Sequence, residues 1–93
     1  MTAEDTRRLQ SDPDGLLNYE YLANNIADIA DDLPGIVENI RRVDLSGQFT
    51  ASAARYLHAI DPVQFAPAIR ELVAATIDKD REHRYLPDIL QGL

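Results

Sequence analysis

Tyr19-Glu20-Tyr21-Leu22-Ala23-Asn24-Asn25-Ile26-Ala27-Asp28-Ile29-Ala30-Asp31-Asp32-Leu33 decides the fold class. Tyr19, Leu22, Ile26, Ile29 and Leu33 step by three and four residues, the spacing of one face of an α-helix. Ala23 and Ala30 widen that stripe. The rhythm continues in phase through Ile36, Ile40 and Val43. Pro34 interrupts the backbone rather than the pattern, because it disfavours helical geometry at Leu33. Asp28, Asp31 and Asp32 would oppose the dipole of a helix ending there and favour that of one beginning there. The expectation is a helix from Pro13 to about Asp32, a break or sharp kink at 32–34, and a following helix with Arg41 and Arg42 at its C-terminus.

Outward from this stretch no strand-like alternation persists. Thr2 can cap a short helix over residues 3–10, with Leu9 its one strong apolar member. Ser11-Asp12-Pro13-Asp14 reads as a break and a restart, with Asp12 as N-cap and Pro13 at the first helical position. Val43-Asp44-Leu45-Ser46-Gly47 is a connector. Ser46 or Thr50 can cap a helix ending near Ile60, with Phe49, Ala53, Tyr56, Leu57 and Ile60 on its apolar face. Asp61-Pro62-Val63-Gln64 has the form of a capping box. Pro67 is too deep for one continuous helix, so the spacing predicts a turn at 62–65 and a main helix from about Pro67 to 82. Its core face is Ile69, Leu72, Val73, Thr76 and Ile77. Residues 86–91 form a last short helix that Gly92 can stop. The fold class is therefore all-α, a compact bundle of four to five short-to-medium helices with proline-marked breaks. Residues 1–93 make one domain, residues 1–11 a short docking helix, and the apolar ending suggests a truncated chain or a docked terminus. Leu33–Ile40 resembles Leu86–Leu93, each after an Asp-Pro helix start, but so short a pattern arises readily by chance. Tetratricopeptide and ankyrin signatures do not fit.

The 93 residues carry a net charge of −7 and no cysteine. That excludes disulfides, thiolate metal sites and cysteine nucleophiles. Residues 1–46 hold ten acids and four arginines, an excess that repels phosphate backbones and anionic lipid. Lys79 is the one lysine. No apolar run reaches the length of a membrane span, and the N-terminus lacks the apolar core of a signal peptide. A cytoplasmic setting without membrane contact is the simplest expectation.

Four constellations merit weighing. Asp80 and His83, at i and i+3 on the inward side of the extended 67–82 helix, could ligate a metal together with carboxylates such as Glu20 or Asp31. A di-metal bundle needs two such pairs, and the ordinary reading is a wet helix end, so no metal is expected. Val37 to Leu57 has a loose helix-turn-helix look, in which Gln48, Thr50, Ser52 and Arg55 would face bases. Few bases surround them, which argues against nucleic acid. Asp12, Asp14 and Gly15 evoke a calcium loop, but the ligand series does not continue. No phosphate loop, dinucleotide fingerprint or nucleophile turn is present, and no cofactor is expected.

Leu17 and Tyr21 are the remaining oddity. They sit at i and i+4 on the side opposite Ile26 and Ile29, beside Asn24 and Asp28. An apolar pair on a polar face is either covered, here through Leu9, or a contact site. The leading functional expectation is a non-catalytic interaction or regulatory module. Its partner would be another protein or a second copy, with contact through Leu17, Tyr21, Asn24 and Asp28. A small metal-binding or enzymatic bundle using Asp80 and His83 is the alternative, and a DNA-binding helix-turn-helix is the third.

Overall fold

A computed structural model describes residues 1–92. Six α-helices, rather than four or five, follow one another: α1 (Ala3–Gln10), α2 (Leu16–Asn24), α3 (Leu33–Val43), α4 (Gln48–Ile60), α5 (Ala66–Lys79) and α6 (Leu86–Gly92). A 3₁₀ turn spans Ile26–Asp28. No strand occurs among the described residues.

Each helix packs on the helices one and two places away in the chain, and pairs further apart share at most marginal contact. That pattern describes two layers, α1-α3-α5 and α2-α4-α6, zipped along their common side. The thin dimension of the Cα trace is 17 Å. Two helix layers about 10 Å apart with Cα cylinders of about 2.3 Å radius account for it. The core fills the space between layers: Leu22, Ile29, Leu33, Ile36, Val37, Ile40, Ala53, Ala54, Leu57, Phe65, Ile69 and Leu72.

Apart from Ala30, which is exposed, the stripe that fixed the fold class goes inward, but the backbone beneath it breaks earlier than expected. The helix ends at Asn24, where Asn25 caps it by donating its N–H and its side-chain Nδ2 to the carbonyl of Tyr21. Ile26 is only half-buried as a result. The prolines occupy two kinds of place. Pro34, Pro67 and Pro87 are each the second residue of a helix, where a missing N–H costs no helical bond. Pro13 and Pro62 lie in the connectors before α2 and α5. The Asp-Pro starts do not make equivalent hairpins, because Leu33-Pro34 opens α3 in one layer and Leu86-Pro87 opens α6 in the other. Leu93, the last member of that comparison, lies outside the described residues. Ile60 and Ile77, expected in the core, are 50% and 59% exposed.

Three aspartates organise the chain instead. Asp12, Asp44 and Asp80 are all buried, and each precedes the second helix of a hairpin. Asp12 Oδ1 accepts the N–H groups of Asp14 and Gly15, while Oδ2 accepts that of Asn18. Asp44 repeats the pattern: Oδ1 takes Ser46 and Gly47, and Oδ2 takes Phe49 and Thr50. Asp80 takes Arg84, Tyr85 and Leu86 at 2.7–2.8 Å. A carboxylate thereby satisfies donors that a helix start leaves orphaned. The third residue after each aspartate is left-handed: Gly15 at φ 108°, Gly47 at φ 90° and His83 at φ 56°. Asn18 and Thr50, six residues after their aspartates, are buried and tie each hairpin to the next. Asn39 of α3 donates its side-chain amide to Asn18 Oδ1, and the Thr76 hydroxyl of α5 lies 2.8 Å from that of Thr50. The glycines let the turns stack. A Cβ on Gly15 would stand 3.1 Å from Phe49 Cβ, and one on Gly47 3.3 Å from Asp80 Cβ.

Candidate interaction face

On α4, Thr50, Ala53, Ala54 and Leu57 point into the core. Ser52, Arg55, Tyr56 and Ala59, at i, i+3, i+4 and i+7, form the adjoining outward stripe. Tyr19 of α2 leans over that stripe, with its ring edge-to-face on Tyr56 at 6.3 Å and tilted on Phe49 at the same distance. Tyr56 is held from behind by its hydroxyl, which donates to the carbonyl of Ala23 at 3.5 Å. The result is a shallow concavity of about 400 Å³ between α2 and α4, lined by Tyr19, Ser52, Arg55, Tyr56, His58 and Ala59.

Its lack of carboxylates sets it apart. Arg55 is exposed and, like Arg7, Arg8, Arg42, Arg70 and Arg81, makes no ion pair among the described residues, whose pairs are Met1–Asp32, Arg41–Glu38 and Arg84–Glu82. No acidic side chain lines the concavity. Four other concavities on the described surface each carry at least one carboxylate: Asp80 and Glu82, Glu38 with Glu71 and Asp78, Glu71 alone, and Asp31 with Asp32 and Glu38.

The residues singled out from sequence are dispersed. Ser52 and Arg55 do share this concavity, and Gln48 is exposed at the start of α4. Thr50 is fully buried, its hydroxyl donating to the carbonyl of Gly47, so it cannot face a base with Ser52 and Arg55. Asp80 and His83 do not share a helix face, because α5 ends at Lys79 rather than near 82. The Asp80 side chain points back under the start of α6, and His83 is exposed in the turn. Burial pushes the Asp80 carboxyl up, but the N–H groups of Leu86, Tyr85 and Arg84, together with His83, outweigh it and hold the group below its ordinary value. No cluster of three or more metal-ligating side chains occurs among the described residues.

Leu17 and Tyr21 are both half-buried. Tyr21 packs against the core, and burial, Asp32 and Asp5 raise its hydroxyl pKa against the opposing charge of Arg8. Asp5 and Arg8 belong to α1, which packs on both α2 and α3 and buries Leu9 completely. The first helix therefore overlies this side of α2. Asn24 and Asp28 are exposed, with Asp28 in the 3₁₀ turn beyond the helix end.

Sequence reasoning places Tyr19 and Tyr56 in the core stripes and assigns His58 no role. The one available signal was the 52, 55, 56, 59 spacing, which adjoins the core stripe of the same helix. Comparison with known family models, curated proteins and solved structures found no match.

Proposed function

We propose that this chain is a non-catalytic interaction module, a short array of stacked helical hairpins that holds another protein, or a second copy of itself, on the outer face of one helix layer. The packing order supports this reading most. Helices that pack chiefly on their neighbours one and two places away form a quasi-linear stack, and such stacks present successive helices to the same side as a continuous surface. Asp44 follows Asp12 by 32 residues and Asp80 follows Asp44 by 36, spacings typical of helical-hairpin units.

The fate of the polar interior supports it too. Asp12, Asn18, Asp44, Thr50, Thr76 and Asp80 are buried, and their hydrogen bonds hold turns and tie hairpins together. No buried side-chain nitrogen or oxygen among the described residues lacks a partner. These six buried polar groups are thereby committed to architecture. Neither the metal-binding bundle nor the helix-turn-helix reading gains an observation of its own.

The test is reconstitution. Light scattering on the purified chain detects a second copy. Affinity purification from the source cell, followed by mixing of the two purified proteins, detects a partner. A stoichiometric complex in either experiment is the expected result. A chain that stays monomeric, forms no reconstituted complex and turns over a small molecule would overturn the reading.

A further inference from the structure

We infer that the α2–α4 concavity is the contact site, and that it takes an acidic segment of the partner with an aromatic or aliphatic side chain beside its carboxylates. This inference rests on the interaction-module reading and names the chemistry of its partner. Two properties of the site carry it. The first is charge complementarity. Arg55 and His58 are the ionisable side chains other than phenols on this surface, and Arg55 presents its guanidinium without an internal carboxylate to neutralise it. A guanidinium left open in this way matches a carboxylate in bidentate geometry. The second is shape. Tyr19 and Tyr56 meet edge-to-face and offer an aromatic wall beside that charge, while Ala59 leaves the floor low. Tyrosine and arginine together are the residue types that most often anchor interfaces.

The net charge of −7 does not cancel this local field. At physiological ionic strength the Debye length is about 8 Å, so carboxylates on the other faces are largely screened at the concavity. Nucleic acid is the weaker occupant, because its affinity needs several phosphate contacts and this surface offers a single arginine and one histidine.

The probe is the peptide acetyl-Glu-Glu-Phe-Glu-Glu-amide, added to the full ¹⁵N-labelled chain at about 0.15 M ionic strength. Expected are saturable amide shifts centred on Ser52, Arg55, Tyr56 and Ala59, with affinity falling at least about tenfold in Arg55→Glu, the effect of losing a charge-assisted pair and gaining a repulsion. A peptide with glutamine at the four glutamate positions should shift the same amides far more weakly. Arg55 is exposed and points away from the core, so its variants should keep the wild-type melt; Arg55→Lys is a second variant that should retain part of the affinity. The inference is overturned if no saturable shift appears on α4, if Arg55→Glu binds as wild type does, or if an oligothymidylate strand binds there more tightly than the peptide. A reconstituted complex that survives Arg55→Glu would remove this surface and leave the interaction reading standing. Absence of any complex would remove both.

Discussion

Gly47 in the second turn lies directly against Asp80 in the third: a methyl group on the glycine would stand 3.3 Å from the aspartate Cβ and 3.5 Å from its backbone nitrogen. Gly15 in the first turn stands in the same relation to Phe49, at the start of the next hairpin's second helix. Both glycines also hold left-handed dihedrals, which a side chain penalises by about 1–2 kcal/mol. Gly47→Ala and Gly15→Ala should each destabilise the fold by about that amount or somewhat more. Gly35→Ala is the control. It lies inside α3 with no atom within 4 Å of the added methyl, so it should be neutral or stabilise by up to about 1 kcal/mol. Urea titrations of the three variants check the ordering.

The Asp44 carboxylate accepts four backbone N–H groups and the Ser46 hydroxyl. Asp44→Ala orphans donors at Gly47 and Thr50 that are buried. The expected loss is on the order of 2–4 kcal/mol, a large part of the stability of so small a domain. Asp44→Asn retains one accepting oxygen and should fall between the two. Thermal melts that leave Asp44→Ala within a degree or two of wild type would contradict the capping role.

Acid should dismantle the turns. Burial pushes the Asp12 carboxyl up, but the N–H and side-chain amide of Asn18, with the N–H groups of Gly15 and Asp14, more than offset it. Asp80 is depressed in the same direction. A carboxyl whose folded pKa lies below its unfolded value near 3.8 contributes stability above that value and loses it as pH falls through the folded pKa. Stability should therefore be flat in these two groups at neutral pH and drop steeply below about pH 4. Asp12→Asn should lower stability at pH 7 and flatten the acid limb of the curve, as read from melts across pH 2–7.

His83 holds at φ 56° the position that glycine fills in the other two turns. His83→Gly removes that strain but frees the unfolded backbone, so the net gain should be at most about 1 kcal/mol. Hydrogen exchange at Ile89, whose side chain is fully buried, reports whether α6 docks more firmly.

The packing phase was legible in the sequence to a greater depth than the helix boundaries. Leu22, Ile29, Leu33, Ile36 and Ile40 all reach the core, because each connector returns the next apolar residue to the same side. The break itself was misplaced, since Pro34 is a louder signal than Asn24-Asn25, yet a proline at the second helical position stops nothing. Ile60 is the last residue of α4, and Ile77, between the buried Thr76 and Asp80, lies on the side of α5 turned away from the core. The three capping aspartates were read singly, as an N-cap, a connector residue and a helix-face carboxylate. Their common role depends on a left-handed third residue, which Gly15 and Gly47 announce and His83 conceals. The concavity between α2 and α4 was half visible, through Ser52 and Arg55, because its other wall comes from a residue 33 positions before Ser52, which no local spacing links to it.

Lys79 closes the second turn from outside: its ammonium donates to the carbonyls of Arg41 and Asp44, at the last turn of α3, from the end of α5. It is the one lysine of the 93 residues. Amine-directed reagents thus meet a molecule with a single side-chain target, and that target is occupied while the fold is intact. Acylation at Lys79 should be slow in native protein and accelerate on denaturation. One stoichiometric label, resolved by mass, then becomes a clock for the parting of α3 from α5.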